Sequence, residues 1–211
     1  MRTGDFDLEG FPHEDHTVRR RIVHEHYAEA PEMGFVNDIA LLELTEPVTF
    51  KDHIMPICLP RSHANFSNVN ATATGWGQPT AETLFGVPPL NRFAAQVVGS
   101  ESCGAWLETE DEGSGNSPSS LCVHLHTKGS GPCRSGSPMI LLKDGRYQVI
   151  GLASGDQSIE CRKSTRPSFF TNVAAYVDWI NAKIKAGSEN KVGWTDVVKN
   201  HSPGSYICNS C

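Results

Sequence analysis

Short apolar runs separated by polar turns dominate the pattern of this chain, and one stretch has helical periodicity. Arg20, Ile22 and His24 begin an alternating segment, and Asp38-Ile39-Ala40-Leu41-Leu42-Glu43-Leu44 is a compact apolar run of strand length. Further strands are predicted over Arg92–Val98, Pro138–Leu142, Tyr147–Ala153 and Ser168–Thr171. Pro56, Pro60 and the run from Ser62 to Asn70 mark a long surface connection, and loops rich in Gly, Ser, Asp and Glu separate the later strands, notably Glu108 to Ser119. Val173, Tyr176, Val177, Ile180 and Ile184 recur at i, i+3, i+4, i+7 and i+11, which puts them on one face of a helix. Asn172 is the predicted N-cap and Gly187 the predicted stop. Ser188 to Cys211 is polar, weakly patterned and reads as a tail. The pattern is that of a β-rich protein with one helix near its C-terminal end.

Composition narrows the partners. In 211 residues the apolar share is 38%, enough for a core, and 13 Pro with 19 Gly, scattered rather than clustered, suit a fold with many turns. A net charge of -6 argues against a nucleic-acid partner, because phosphate binding needs a basic surface. No apolar run approaches the ~18 residues of a membrane-crossing helix, so no membrane partner is expected. Seven cysteines are many for a reducing cytosol. Asn65-Phe66-Ser67, Asn70-Ala71-Thr72 and Asn200-His201-Ser202 are N-glycosylation sequons. Both features suit an extracellular protein, yet Met1-Arg2-Thr3-Gly4-Asp5 opens the chain without the apolar stretch of a signal peptide. The expectation is a secreted protein whose beginning lies upstream.

Four segments in the right order resemble the chymotrypsin/trypsin family of serine proteases. They are Asn37-Asp38-Ile39-Ala40-Leu41-Leu42 with Pro47-Val48 and Pro56-Ile57-Cys58-Leu59-Pro60; Thr74-Gly75-Trp76-Gly77; Ser135-Gly136-Ser137-Pro138 with the strand from Tyr147 to Ala153; and Pro167-Ser168-Phe169-Phe170-Thr171-Asn172-Val173 running into Tyr176-Val177-Asp178-Trp179-Ile180. Arg2-Thr3-Gly4-Asp5-Phe6-Asp7-Leu8 looks like the arthropod clip-domain branch, and Ala71 and Leu141 fall where many relatives carry a further disulfide. The resemblance implies an all-β fold of two antiparallel six-stranded barrels. The first would be incomplete here, with strands near Asp5–Leu8, Val18–His24 and Ile39–Leu44, and the C-terminal helix would pack back on it. The protease-like domain would span residues 1–186, with the first-barrel remnant over 1–60, a connection over 61–72, the second barrel and helix over 73–186, and the tail over 187–211. Ten residues separate Cys122 from Cys133, as in the family's loop below the specificity pocket. Disulfides Cys103–Cys122 and Cys133–Cys161 are implied, each contributing ~3 kcal/mol for loops of such length. Cys58 matches a position tied in multi-part relatives to an upstream segment, and Cys208 and Cys211 lie in the tail.

In this family a histidine takes the proton of a serine, an aspartate orients the histidine, and backbone N–H groups meet the oxyanion. Asp38 matches the aspartate and Ser135 the nucleophile. The family's run from cysteine to nucleophile holds a Gly-Asp pair that Cys133-Arg134-Ser135 lacks; that glycine supplies an oxyanion donor and that aspartate receives the activated N-terminus. An ungapped reading instead puts Arg134 and Cys133 at those two positions, which also disables the site. No Ala-Ala-His-Cys motif precedes Asp38, and the activation cleavage site is absent with it. Both catalytic residues are therefore expected to be vestigial.

Other candidate sites weigh less. Gly131, Ser154, Gly155, Asp156 and Ser168 fall on the substrate pocket but do not build a pocket for Lys or Arg, since Gly131 stands where trypsin-like members keep an Asp. The pairs His24/His26 and His124/His126 have metal-compatible spacing but no evident third ligand, so no metal is expected. No cofactor is implied, although Asp5 and Glu14 fall where relatives have a calcium loop, with solvated carboxylates as the other reading. The function expected is that of a non-catalytic serine protease homolog binding or regulating active proteases or their substrates in an extracellular cascade. The alternative is a truncated version of a secreted serine endopeptidase. A barrel without half its strands exposes long edges and one apolar face, so the isolated chain is expected to fold poorly.

Overall fold

The computed structural model describes residues 1–7, 12–30, 34–76, 89–99, 118–126, 135–154 and 168–189. Twelve strands and one C-terminal helix are found there. Six strands, β7 (Asn70–Gly75), β8 (Asn91–Val97), β9 (Ser120–Leu125), β10 (Pro138–Lys143), β11 (Arg146–Ala153) and β12 (Ser168–Asn172), close into an antiparallel barrel in the order β7-β8-β9-β12-β11-β10. Closure leaves no edge strand on this half of the molecule.

Side-chain alternation builds the barrel interior. Along β8, Phe93, Ala95 and Val97 are buried while Arg92 and Ala94 face solvent, the two-residue period of a half-buried strand. Phe170, Met139, Ile150 and Val123 are the largest fully buried side chains, and each contributes ~1.5–3 kcal/mol by leaving water. Packing is tight at Gly151, where an added Cβ would lie 2.9 Å from the Met139 methyl and 3.2 Å from Phe170 Cβ and would press on both. The β10–β11 hairpin turns on Asp144 and Gly145, both with positive φ (50° and 74°), the two-residue turn whose twist matches the strands.

The first half does not close. Strand β3 (Val18–Val23) pairs with β6 (Ala40–Leu44), and two further two-stranded sheets are β1 (Arg2–Thr3) with β2 (Glu14–Asp15) and β4 (Ala28–Ala30) with β5 (Gly34–Val36). Val23 and Leu42 are about half exposed, as expected of a two-stranded ribbon with no sheet over its second face.

Several boundaries differ from the sequence-based expectation. The strand expected near Asp5–Leu8 is absent at residues 5–7, and Leu8 lies outside the described residues. The Phe6 carbonyl is instead taken by the second half of the chain, accepting from Leu90 N (2.7 Å) and Trp76 Nε1 (2.8 Å). Strand pairing moves to Arg2–Thr3, where Arg2 bonds Asp15 (3.1 Å) and the N-terminal ammonium bonds the His16 carbonyl (2.7 Å). The barrel begins at Asn70, not Ala73, because Asn70 and Ala71 already pair with Gln96 and Ala95. Asn172 caps as expected, accepting from Ala174 N (3.2 Å), but the first turn, Val173–Tyr176, is a 3-10 helix. The α-helix α1 (Val177–Glu189) runs through Gly187 without stopping. A glycine ends a helix only where it can take the left-handed conformation with capping bonds, and Gly187 is not among the positive-φ residues.

Helix α1 does pack back on the first half. Val173, Tyr176 and Ile180 form one cluster with Ile39, joined by Leu41, Leu59 and Trp179. Glu25, in the turn after β3, accepts from Trp179 Nε1 (2.8 Å) and pairs with Lys183. Lys183 first and Trp179 second hold the Glu25 carboxyl down to about 2 from an ordinary 4.5. The contribution of this pair to stability is therefore complete above pH 4.5 and is lost as the pH falls through about 2. The difference in thermal midpoint between wild type and Glu25→Gln should shrink across that window. A difference that stays constant there would contradict the assignment.

Candidate functional site

Asp38 lies on the segment that enters β6 from the first half. Asn37 adopts a positive φ of 51°, a conformation asparagine tolerates better than most residues. Its amide is bound on both sides: Tyr176 Oη donates to Asn37 Oδ1 (3.0 Å), and Asn37 Nδ2 donates to the His26 carbonyl (2.9 Å). Burial, reinforced by the Asp38 charge, raises the Tyr176 phenol above its ordinary 10.0 against a hydrogen bond to Ser119. It therefore stays a neutral donor at physiological pH. Asp38 itself is fastened to the barrel. Ser154 Oγ donates to Asp38 Oδ2 (2.8 Å), and Thr171 Oγ1 donates to the Asp38 carbonyl (2.8 Å).

Ser135 belongs to a turn that rests on the same strand end. Gly136, with φ 83°, donates its N–H to the Ala153 carbonyl (2.7 Å), and Ala153 N–H returns to the Ser137 carbonyl (2.8 Å). Ser154 follows Ala153 directly, so its neighbour holds the turn carrying Ser135 while its own hydroxyl holds Asp38. Ser135 is exposed. Ser168, the first residue of β12, is half-buried, and the next residue, Phe169, accepts from Ser154 N–H through its carbonyl (3.1 Å). Asp38, Ser135, Ser154 and Ser168 are thus brought to one end of β11 and β12. Gly131, Gly155 and Asp156 lie outside the described residues, as do Cys103, Cys133, Cys161 and Asn200.

Among the described residues no histidine donates to the Asp38 carboxylate; the side chain that does is Ser154. Several of the described histidines are engaged elsewhere. His24 lies tilted against Trp179 (ring centroids 5.0 Å apart) and meets Tyr176 edge-on (5.4 Å), while its Nδ1 accepts from His26 N–H (3.2 Å). His63 sits 3.6 Å from Asp178, His16 bonds Thr3 (2.8 Å), and His124 on β9 contacts His126 just beyond it. No group of three His, Cys, Asp or Glu side chains suited to a metal occurs among the described residues. Of the two calcium candidates, Asp5 accepts from Arg2 (3.3 Å), and Glu14 is paired with Lys51, whose hydrogen bond holds its carboxyl below the ordinary range. Cys58 is a buried thiol beside β11, donating its N–H to Tyr147 O (3.1 Å) and accepting from Val149 N–H (3.0 Å). Cys122 is disulfide-bonded, to a sulfur outside the described residues.

The partners that hold Asp38 were harder to read in the sequence. Thr171 and Tyr176 stand in apolar patterns as a strand end and a helix-face residue. Their hydroxyl roles arise only from contacts more than a hundred positions apart. The signal available was that Asn37, Asp38, Thr171 and Tyr176 all fall inside the matched segments.

A closed antiparallel barrel, a second set of strands tied to it through an aspartate, and a serine turn beside that aspartate define a two-barrel serine protease scaffold. The family model described as Trypsin matches residues 4–180. The chain is 33% identical over 187 residues to serine protease filzig of Drosophila melanogaster, covering 85% of this chain and 11% of that protein. It is 28% identical over 188 residues to serine proteinase stubble of Drosophila melanogaster (85% of this chain, 23% of that one) and 33% identical over 151 residues to human serine protease 41 (68% and 46%). The chain belongs to the trypsin family. It spans less than half the length of each of these relatives.

If Asp38 ties the two halves, weakening its bonds should cost stability. A hydrogen bond to a charged group contributes about 1.5–3 kcal/mol, and partial exposure places this one toward the lower end. Ser154→Ala should therefore lower unfolding free energy in urea by about 1–2 kcal/mol. Asp38→Asn, which keeps an acceptor oxygen, should cost less. A Ser154→Ala change within ~0.5 kcal/mol of wild type, the range of ordinary surface substitutions, would contradict the tie.

Proposed function

We propose that this chain is a non-catalytic serine protease homolog that acts by binding active proteases or their substrates in an extracellular protease cascade. The observation that carries the reading is the state of Asp38. Its carboxylate accepts from Ser154 and, among the described residues, from no histidine. In the family's chemistry the aspartate works only through a histidine, and among the described residues none meets this carboxylate, although a carboxylate bonded to Ser154 keeps a second oxygen that could accept from one. Losing the base costs on the order of 10⁶-fold in turnover. Without a base the Ser135 hydroxyl is too weak an acid to give up its proton.

The sequence around Ser135 supports the same reading independently. Cys133-Arg134-Ser135 lacks the Gly-Asp pair on which the family builds its oxyanion donor, and one lost donor costs roughly 10²–10³ in rate. The pocket positions Gly131, Gly155 and Asp156 also depart from the family's pattern. A scaffold of this kind keeps the shape by which relatives meet protein substrates while losing the step that cuts them. The secretory setting, the pairs Cys103–Cys122 and Cys133–Cys161, and attachment of an upstream segment through Cys58 belong to the same proposal. Asp5, its side chain buried beside Arg2, and Glu14, half-buried against Lys51, are read as ion-paired carboxylates rather than calcium ligands.

Hydrolysis of a mixed library of peptide substrates tests the loss of chemistry. The wild-type chain and Ser135→Ala should both give the rate of buffer alone. Hydrolysis by wild type that disappears in Ser135→Ala would overturn the proposal.

A further inference from the structure

The connection between the two halves carries a sequon whose three residues are sorted by the fold. In Asn65-Phe66-Ser67, Phe66 is only 6% exposed and belongs to the barrel core, while Asn65 and Ser67 on either side are exposed. The turn around them is closed by Ala64 N–H to Arg61 O (3.2 Å), Val69 N–H to Phe66 O (3.1 Å) and Asn68 N–H to Val97 O (2.9 Å). Asn65 Oδ1 accepts from both Ser67 N–H and Ser67 Oγ, each at 2.8 Å. This is the local Asx geometry that asparagine favours in turns. The hydroxyl of the sequon thus already lies on the side-chain amide of its asparagine. Both lone-pair directions of Oδ1 are used, and among the described residues none accepts from Nδ2.

The second sequon is placed differently. Asn70 is exposed, but Asn70-Ala71-Thr72 forms the start of β7 inside the barrel wall, with Thr72 opposite Ala94 on β8 and Ile140 on β10. Once the barrel closes, that hydroxyl is held in a strand paired on both sides. An acceptor sequon needs a surface loop in a secreted protein, and Asn65 has that loop before and after folding.

We propose that Asn65 is an N-linked glycan acceptor of this protein. The proposal rests on the secretory reading above. In the transfer, Asn65 Nδ2 bonds to the anomeric carbon of an oligosaccharide carried on a polyprenyl diphosphate. The carbon–oxygen bond to the diphosphate breaks, its electron pair leaves with the diphosphate, and one amide proton passes to a base. The glycan would stand on the Asn65 side of the connection, over the anchor of Phe66 in the barrel.

The test directs the full chain into the secretory pathway of insect cells with a cleavable leader and reads total cell material together with medium, so that retained protein also reports. Wild type should show a slower band that collapses under peptide N-glycosidase, with Asn65 converted to Asp by mass spectrometry. Asn65→Gln and Ser67→Ala should lose that band, and Ser67→Thr, which keeps the sequon, should retain it. An unmodified Asn65, or a glycan confined to Asn70, would overturn the proposal. Carbohydrate on the leader-directed chain but none on the protein from its natural source would keep the site and overturn the secretory route instead.

Discussion

Two hydrogen bonds accepted by Asp38 cross from the barrel to the first half of the chain and fix the segment that leads into β6. Thr171 fixes its backbone and Ser154 its carboxylate, while the neighbouring Asn37 is fixed by Tyr176 at the other end of the same strand-to-helix segment. The hydrophobic cluster beneath, Ile39 with Val173, Tyr176 and Ile180, supplies more free energy, about 1.5–3 kcal/mol for each large side chain buried. Apolar contact is non-directional, however, and does not decide which way β6 leaves the barrel. The polar bonds, at about 1–3 kcal/mol each, set the direction. Asp38 and its partners thereby form a joint between the halves.

The joint gives Asp38 and Ser154 a structural role of their own. Asp38 is half-buried, and a carboxylate there needs a donor whether or not a histidine is present. Ser154 meets that need. The turn at Ser135–Ser137 is held by main-chain bonds to Ala153 that do not depend on the serine side chain. Selection for a stable joint would therefore preserve Asp38 and Ser154.

Much of this was legible in the sequence because short-range signals and burial agreed. The alternation Phe93, Ala95, Val97, the helix stripe Val173, Tyr176, Ile180 and the Asn172 cap each express a local period or a local bond. The errors came where a distant partner overrode the local pattern. Phe6 looked like a strand residue, but its carbonyl is held by Trp76 and Leu90. Gly187 looked like a stop, but α1 continues to Glu189. Of the site, Asp38, Ser135, Ser154 and Ser168 were placed together by the family pattern rather than by any period in the chain. Thr171, Tyr176 and Asn37 went unassigned because their bonds span from eleven residues to more than a hundred.

On the function proposed above, Ser135 sits in a preserved frame without an activated hydroxyl. A fluorophosphonate probe reports that state directly, since it forms a stable bond only with a serine made nucleophilic by its surroundings. Intact-mass and peptide-level mass spectrometry of the folded chain after probe treatment should find Ser135 unmodified, matching a heat-denatured control. Stoichiometric labelling at Ser135 that disappears on denaturation and in Asp38→Ala would contradict the account, because it would show Asp38 and Ser135 working as one catalytic unit.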